Sequence, residues 1–347
     1  MDTAGCRFPN SRVERCASNI QQGYSTPKQP MASLFARFSP PHFRPERDMP
    51  DLSGKIALVT GGNTGIGYET VEQLLLKNAK VYLAARSGQK ANAAIERLEA
   101  ETKKRAILLQ LDLADLRSVR KAAEAFLAQE SRLDLLFNNG GVMISPPEML
   151  TAQGHDLQFG TNCIGHFFLT ELLLPALLQS HADTGTRARV MHTSSIGHTF
   201  APGRGIEFES LKGGEERDEW VKSAGGTMGP WRLYGESKLG NILVSNYFAR
   251  EYGDKIVSSA LHPGSIRSEL NRHASALLQI ISNTFFKFPA PMGAYTQLWG
   301  ATVADADSIN GQYLIPWGKI GKTDPRAGDR ALEDEVIAHV KEQVKEF

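Results

Sequence analysis

The chain has 347 residues, 39 of them basic and 38 acidic, which gives a net charge of +1. This balance lacks the excess of positive charge with which proteins bind nucleic acid, so the sequence predicts no nucleic-acid partner. The length favours one α/β domain with a tail over two domains. No run approaches the roughly eighteen consecutive apolar residues of a membrane-spanning helix, so we expect no integral membrane segment.

Residues 1–50 differ in composition from the rest of the chain. They are rich in Pro, Ser, Arg and Gln and lack apolar periodicity, so we expect a disordered N-terminal tail. The segment has no apolar core of a secretory signal. Its arginines raise the alternative of a mitochondrial presequence, but Asp2, Glu14 and several prolines argue against one. Met31 is an alternative start of the protein.

The cysteines Cys6, Cys16 and Cys163 have no metal-ligand spacing, and neither do lone histidines such as His166 and His198. The sequence therefore predicts no metal site. Two of the cysteines fall in the predicted tail, which argues against a disulfide framework and suits a reducing compartment. We expect a cytoplasmic protein.

Beyond residue 51, apolar runs typical of buried strands alternate with segments of helical periodicity. The predicted strands are residues 56–60, 81–85, 107–110, 133–137, 190–193, 256–261 and 312–315. The predicted helices lie near residues 69–77, 91–102, 117–129, 156–179 and 234–252. This alternation predicts a doubly wound (Rossmann) α/β fold, a seven-stranded parallel sheet with helices on both faces, in a single domain of residues 51–320. Residues 321–347 are expected to form a C-terminal helix or tail.

Two connections are longer than ordinary links between a strand and a helix. Residues 197–233 are rich in glycine and charge. Residues 265–291 contain the apolar run 276–281, followed by Phe285 and Phe286. We interpret this second connection as a mobile helical lid, and a membrane-surface or dimer contact is the alternative.

A glycine-rich loop, residues 60–67 (TGGNTGIG), stands between the first predicted strand and its helix. Glycines allow a tight turn and let backbone N–H groups approach a pyrophosphate, which the helix N-terminus then stabilises. In this strand-loop-helix context the loop predicts a dinucleotide site. The cofactor contacts predicted in it are Gly61, Asn63, Gly65, Ile66 and Gly67.

The ends of the next three strands add polar groups to this site, because ligands of such sheets bind at the carboxyl ends of the strands. Arg86 stands where NAD-binding folds usually carry an acidic residue, and it can bond to a 2′-phosphate, so NADP(H) is favoured. An exposed arginine and NAD(H) are the alternative. Asp112 can accept a hydrogen bond from the adenine amino group or cap a helix. Residues 138–141 (NNGG) leave room for the adenosine ribose, with Asn139 as a contact, or form a simple turn.

Tyr234 and Lys238 indicate hydride-transfer chemistry. A phenol has a pKa of about 10, too high for an efficient proton carrier near neutral pH, and a nearby cation favours its phenolate. Residues four apart share one face of a helix, so both side chains are expected to enter the same cleft.

These motifs, together with Asn162, Ser195 and residues 262–264 (HPG), resemble the short-chain dehydrogenase/reductase family over residues 52 to about 317. The glycine spacing Gly-x-x-x-Gly-x-Gly is similar to that of the single-domain branch. Within that branch the chain resembles retinol-dehydrogenase-like members, and most of all fungal members of secondary-metabolite pathways. This narrower resemblance rests on residues 63–64, 261–264 and 315–318. Gly140, where the family usually has alanine, is a departure that should still admit the ribose.

The resemblance implies a role for each matching residue. Tyr234 would be the general acid of carbonyl reduction, and Lys238 would lower its pKa and hold the nicotinamide ribose. Ser195, preferred over Ser194, would hydrogen-bond the substrate oxygen. Asn162 would hold a water that links Lys238 to solvent. The nicotinamide carboxamide would contact Ile266 and Ser268.

The function that these residues imply is a hydride transfer between NADP(H) and the CH–OH or C=O group of a fairly apolar small molecule, as in a ketoreductase or alcohol dehydrogenase of secondary metabolism. The alternatives are an NAD(H)-dependent alcohol dehydrogenase and a non-catalytic protein that senses NADP(H). Family members commonly form homo-oligomers through the helices that carry Asn162 and Tyr234, but the long connections here could block one of those faces.

Overall fold

A mostly parallel sheet lies at the centre of the protein, whose computed structural model describes residues 41–223, 228–266 and 288–347. Its order is β3-β2-β1-β4-β5-β6-β7-β8, and neighbouring strands from β3 through to β7 run parallel. The order reverses between β1 and β4, which is the crevice where doubly wound sheets bind ligands. The strands are β1 Ile56–Thr60, β2 Lys80–Ala85, β3 Ile107–Gln110, β4 Leu135–Asn138, β5 Ala188–Thr193, β6 Ile256–Leu261, β7 Tyr313–Ile315 and β8 Lys319–Ile320.

The predicted count of seven strands was wrong by one, since the described residues contain eight. The additional strand, β8, has two residues and pairs antiparallel with β7 at the edge of the sheet. Gly318, with a φ of 76°, lies in the turn between them. A two-residue strand is too short to show an alternating pattern, so the sequence gives no sign of it.

Helices cover both faces of the sheet, as predicted. One face carries α3, α4, α6 and α8, and the other carries α1, α2 and α7. In β1 the side chain of Leu58 joins the first of these cores, while Ala57 and Val59 join the second. Both faces are buried, so the strand is apolar throughout. The longer helices are α1 Gly65–Leu76, α2 Gly88–Thr102, α3 Leu116–Leu127, α4 Gly165–Thr184, α5 Glu215–Ser223, α6 Gly229–Glu251, α7 Ala290–Thr302 and α8 Arg330–Val344.

The helix predicted over residues 156–179 is not a uniform α-helix. Asp156 begins it by accepting hydrogen bonds from the N–H groups of Gln158 and Phe159. The segment Gly160–Ile164 is then π-helical, and α4 follows it. Such π-helical turns are rare and occur frequently at functional sites. Apolar periodicity does not distinguish a single π-turn from an α-helix.

The two long connections and the N-terminal segment differ in how much of them the structure describes. The first connection contains the short helices Ile196–Phe200 and Phe208–Ser210 and then α5. Residues 1–40 and most of the predicted lid, residues 267–287, lie outside the described residues. Within the predicted tail, however, Phe43 and Met49 are buried in the core beside α7, so the packed chain begins before residue 50.

One helical segment of the described residues, Leu157–Thr184, is long and apolar enough to cross a membrane, with a mean hydropathy of 1.3. Of its most apolar stretch, 72% is buried inside the protein. A helix that packs between the sheet and its neighbouring helices has the same composition, so the measure alone is weak support for a membrane segment.

Candidate active site

Hydrogen bonds join the start of the phosphate loop, residues 60–67, to residues 138–141 at the crevice between β1 and β4. The hydroxyl of Thr60, the last residue of β1, accepts hydrogen bonds from the N–H groups of Asn139 and Gly140, both at 2.9 Å. The side-chain amide of Asn139 donates to the Thr60 carbonyl at 2.9 Å. The predicted contact Asn139 therefore ties two strand ends together beside the loop.

At Gly61 and Gly67 the phosphate loop has no room for a side chain. A Cβ atom on Gly67 would lie 2.2 Å from the carbonyl oxygen of Gly61. Gly61 has a φ of 66°, and a Cβ there would lie 2.9 Å from the Cα of Gly140. Gly65 begins α1, and the side chain of Thr64 before it makes no capping hydrogen bond. A helix N-terminus without a side-chain cap beside a glycine turn fits the pyrophosphate of a dinucleotide.

The other predicted cofactor contacts lie around this loop. Asn63 is half-buried in the loop, while Ile66 is buried against Ile266 and Trp317. The residue Ile266 forms a short parallel bridge with Phe288. Ser268 lies outside the described residues. The loop and the segment predicted to hold the nicotinamide are therefore packed against each other.

Arg86 and Asp112 lie at the carboxyl ends of β2 and β3. Arg86 is exposed, and among the described residues no carboxylate lies within ion-pair distance of it. One carboxylate oxygen of Asp112 accepts the N–H of Ala114 in a turn, at 3.0 Å. The cap of α3 is instead Asp115, whose side chain accepts the N–H of Arg117. Asp112 is therefore not the helix cap that was one alternative for it.

Tyr234 and Lys238 lie on α6, and both are buried. The Lys238 Nζ donates to the carbonyl of Thr193 at 2.8 Å and lies 5.7 Å from the centre of the Tyr234 ring. The helix begins at Gly229, earlier than predicted, because Pro230 in its first turn suits a helix start. The i, i+4 spacing thus places both side chains at one site.

Burial dominates the ionisation of both residues. It raises the pKa of Tyr234 to about 12, although a hydrogen bond with Ser195 acts in the opposite direction. Burial also lowers the pKa of Lys238 to about 7. A lysine with this pKa carries only part of its positive charge near neutral pH, so the lowering of the Tyr234 pKa expected from Lys238 is not seen in this arrangement.

The two candidate serines after β5 have different surroundings. The Ser194 hydroxyl is buried and donates to the carbonyl of Lys238 at 2.7 Å. The Ser195 hydroxyl accepts the N–H of Gly197 at 3.0 Å and lies near the Tyr234 ring, since a Cβ on Gly197 would be 3.3 Å from Ser195 Oγ and 2.7 Å from Tyr234 Cε1. Ser195 is also the less buried of the two. These contacts favour Ser195 as the residue that meets a substrate.

Asn162 lies in the π-helical turn and is completely buried. Its side chain binds both backbone groups of Val142 at 2.9 Å and donates to the Ser237 hydroxyl at 3.0 Å. A Cβ atom on Gly141 would lie 2.8 Å from its Oδ1 and 3.7 Å from Lys238 Nζ. The structure therefore brings Asn162 close to Lys238, and the water between them remains a prediction.

His198 has no suggestive spacing in the sequence, yet it supports the loop that carries Ser195. Its Nδ1 lies 2.6 Å from the Ser195 carbonyl, and its Nε2 accepts the N–H of Asp324 at 3.0 Å. Arg326 pairs with Asp324 and donates to the carbonyl of Ala201 at 2.8 Å. The segment that follows residue 320 therefore stabilises the loop that carries Ser195. His198 and Asp324 are 126 positions apart, so no local sequence pattern predicts their contact.

The buried lysine leads to a prediction about pH. We expect Lys238→Met to lower turnover by at least about a hundredfold and to raise the thermal midpoint at pH 7. The methionine avoids the cost of burying a charge, and the Thr193 carbonyl keeps a donor in Asn241 at 3.0 Å. Thermal unfolding between pH 6 and pH 10 measures the effect.

The sign follows from the two pKa values of the lysine. Between about 7 in the folded chain and 10.5 in the unfolded chain, the unfolded chain binds more protons, so wild-type stability rises with pH. The advantage of Lys238→Met should therefore be largest at pH 7 or below and should shrink toward pH 10. Lys255→Met, at an exposed lysine, serves as the control. An advantage that does not change with pH would contradict the prediction.

Comparison with known proteins extends over most of the chain. Residues 55–207 match the family model described as short chain dehydrogenase. A short-chain dehydrogenase/reductase of Armillaria gallica is 47% identical over 319 residues, which are 91% of this chain and 98% of that protein. Retinol dehydrogenase 11 of Mus musculus is 38% identical over 266 residues, which are 76% of this chain and 78% of that protein.

Among solved structures, the RhlG/NADP active-site complex of Pseudomonas aeruginosa is 26% identical, with a TM-score of 0.58. The match covers 77% of this chain and 96% of that chain. The similarity thus includes the overall arrangement of strands and helices as well as the order of the residues.

Proposed function

Since this chain belongs to the short-chain dehydrogenase/reductase family, and is therefore an oxidoreductase, we propose that it transfers a hydride between NADP(H) and the C=O or CH–OH group of an apolar small molecule. The observation that carries the proposal is the meeting of Tyr234, Ser195 and Lys238 beside the glycine-built phosphate loop. These groups suffice to protonate an oxygen atom next to a bound dinucleotide.

Each of these side chains has a distinct part in the proposed reduction of a carbonyl. NADPH, when bound, supplies the hydride. Tyr234 donates its phenolic proton to the substrate oxygen, and Ser195 stabilises the negative charge that develops on that oxygen. Lys238, with a pKa of about 7, can hold or release a proton near neutral pH and is suited to resupply Tyr234. In alcohol oxidation the same groups act in reverse.

The substrate class is supported by an apolar wall next to Tyr234. Ile196 and Phe200, the first and last residues of the short helix after Ser195, leave 45% and 46% of their surface exposed. Trp231 precedes Tyr234 by one helical turn and packs edge to face against Phe200, at 5.6 Å between ring centres. Exposed apolar surface beside a polar reaction centre favours an apolar substrate. Retinol, in the name of the mouse relative, is an alcohol of this kind.

A panel of apolar ketones and aldehydes tests the proposal by the loss of NADPH absorbance. We expect turnover of at least one of them by the wild-type protein. Tight NADPH binding without turnover of any member would instead favour a protein that senses NADP(H). A place in secondary metabolism is part of the proposal, and the panel should therefore include polyketide-like and terpenoid-like ketones.

The preference for NADP(H) is tested at Arg86. We expect Arg86→Ala to raise the dissociation constant of NADPH by about 10- to 100-fold, because a charge-assisted bond to the 2′-phosphate is lost. Binding of NADH, which lacks that phosphate, should change less than about threefold. Calorimetric titration of both cofactors measures the two effects.

Arg105→Ala is the matched control. Arg105 is also exposed, but it precedes β3 and so lies at the opposite end of the sheet from the phosphate loop. It should leave both dissociation constants unchanged. Equal losses for NADPH and NADH in Arg86→Ala would remove the role assigned to this arginine and favour an NAD(H)-dependent enzyme.

A further inference from the structure

A buried histidine joins the cofactor half of the site to the chemical half. His166, in the first turn of α4, is 2% exposed. Its Nε2 lies 2.8 Å from the Thr60 hydroxyl, and its Nδ1 lies 2.9 Å from the carbonyl oxygen of Asn162. Burial lowers its pKa to about 3, so the ring is neutral near pH 7. One imidazole therefore contacts both Thr60, at the start of the phosphate loop, and the π-helical turn that contains Asn162.

The partners of the ring determine where its single proton resides. A carbonyl oxygen only accepts hydrogen bonds, so Nδ1 must carry the proton that is donated to Asn162. Nε2 then accepts, and the Thr60 hydroxyl donates to it. The Phe137 carbonyl is a second acceptor near that hydroxyl, but at the longer distance of 3.2 Å.

The direction of this hydrogen bond affects the phosphate loop. When the Thr60 proton points to His166, the lone pairs of the hydroxyl face the N–H groups of Asn139 and Gly140, both 2.9 Å away. Those two residues adjoin the loop, since a Cβ on Gly61 would lie 2.9 Å from Gly140 Cα. His166 thus orients the hydroxyl that holds the two strand ends together.

On the other side, the ring acts on the chemical half through Asn162. The side chain of Asn162 donates to the Ser237 hydroxyl at 3.0 Å, and Ser237 directly precedes Lys238. The ring contacts the backbone carbonyl of Asn162, and the Asn162 side chain contacts Ser237, so Thr60, His166, Asn162 and Ser237 are linked in that order and all four are buried.

We propose that His166 is a positioning residue which, by accepting at Nε2 and donating at Nδ1, fixes the phosphate loop and Asn162 relative to each other. The inference rests on the proposed function, because the two ends that it joins are the cofactor site and the proton-transfer site. Among the described residues, the buried His155 and His192 each leave one ring nitrogen without a hydrogen-bond partner, whereas His166 has a partner at both nitrogens.

Two substitutions separate the two hydrogen bonds of the ring. Asn in His166→Asn places an amide nitrogen near the position of Nδ1, so it retains the contact with Asn162 and loses the one with Thr60. Gln in His166→Gln extends an oxygen toward the position of Nε2, so it retains the contact with Thr60 and loses the one with Asn162. The two variants differ by one methylene and are matched controls for each other.

We expect the losses to fall on different constants. His166→Asn should raise the NADPH dissociation constant about tenfold and leave kcat within about threefold of wild type. His166→Gln should lower kcat about tenfold and leave NADPH binding within about threefold. Calorimetry and steady-state kinetics with a carbonyl substrate measure these constants. Wild-type values of both constants in both variants, with only the thermal midpoint lowered, would overturn the proposal.

Nitrogen NMR of the wild-type imidazole provides a test that needs neither a folded variant nor turnover. The ring signal of His166 among the nine histidines is assigned in the wild-type spectrum, by sequential backbone assignment extended through the side-chain carbons to the ring nitrogens. We expect a proton on Nδ1 and none on Nε2 from pH 6 to pH 8. A proton on Nε2, or a charged ring, would overturn the proposal. Failure of wild type to bind NADPH or to reduce any carbonyl would count against the proposed function and would leave this tautomer unaffected.

Discussion

Tyr234→Phe is expected to lower kcat for carbonyl reduction by about 10²- to 10⁴-fold, the range that a general acid contributes. The change removes one oxygen atom from a buried side chain that is 6% exposed and keeps the ring in place. Burial raises the pKa of this phenol to about 12, so at neutral pH it carries the proton that the proposed reduction transfers. Steady-state kinetics with NADPH and an apolar ketone measure the loss.

Tyr247→Phe is the matched control for this substitution. Tyr247 is on the same helix α6 and is also buried, but its hydroxyl accepts a hydrogen bond from Lys341 of α8 at 2.8 Å. Removing that hydroxyl should affect stability by about 1 kcal/mol and leave kcat within about twofold. NADPH binding should be retained in both variants. Turnover of Tyr234→Phe close to the wild-type value would show that another group supplies the proton.

Gly67→Ala is expected to weaken NADPH binding by at least about 10- to 100-fold, as overpacking of a tight site does. The added Cβ would lie 2.2 Å from the carbonyl oxygen of Gly61 and 2.7 Å from the side-chain amide of Asn139. The first of these atoms is backbone, so relief requires the phosphate loop to open. The second holds the loop to β4. Calorimetric titration with NADPH measures the change.

Gly88→Ala, at the start of α2, is the control because a Cβ there meets no heavy atom within 4 Å. It should bind NADPH like wild type and gain slightly in thermal stability, since alanine is the better helix former. The thermal midpoint of Gly67→Ala should be recorded without cofactor to confirm that the protein is folded. Wild-type affinity in folded Gly67→Ala would place the pyrophosphate elsewhere.

Features that depend on neighbours along the chain could be predicted from the order of residues. Strands buried on both faces must be apolar throughout, so their positions were predicted within a few residues. A turn that brings backbone close to backbone requires glycine, which identified the loop around Gly67. Residues four apart share a helix face, which placed Tyr234 beside Lys238. The sequence by itself thus determined the fold class, the family and the placement of Tyr234 and Lys238 on one helix face.

Features that depend on how elements pack were decided only by the tertiary structure. Thr60 and His166 are 106 positions apart, and Asn162 and Ser237 are 75 apart. A hydrogen bond between such residues exists only after the sheet has brought their elements together, so no local pattern encodes it. The same holds for β8, whose two residues form a strand only because β7 lies alongside.

The ionisation of Lys238 is the sharpest example of this division. From the sequence it is a cation that should lower the pKa of Tyr234. In the folded protein α6 places its Nζ away from water, against the Thr193 carbonyl, and burial lowers its own pKa to about 7. The sequence by itself determined which groups meet at the site. The tertiary structure decided their charge, because the free energy of an ionised group depends on its solvation, and packing alone determines how much water reaches it.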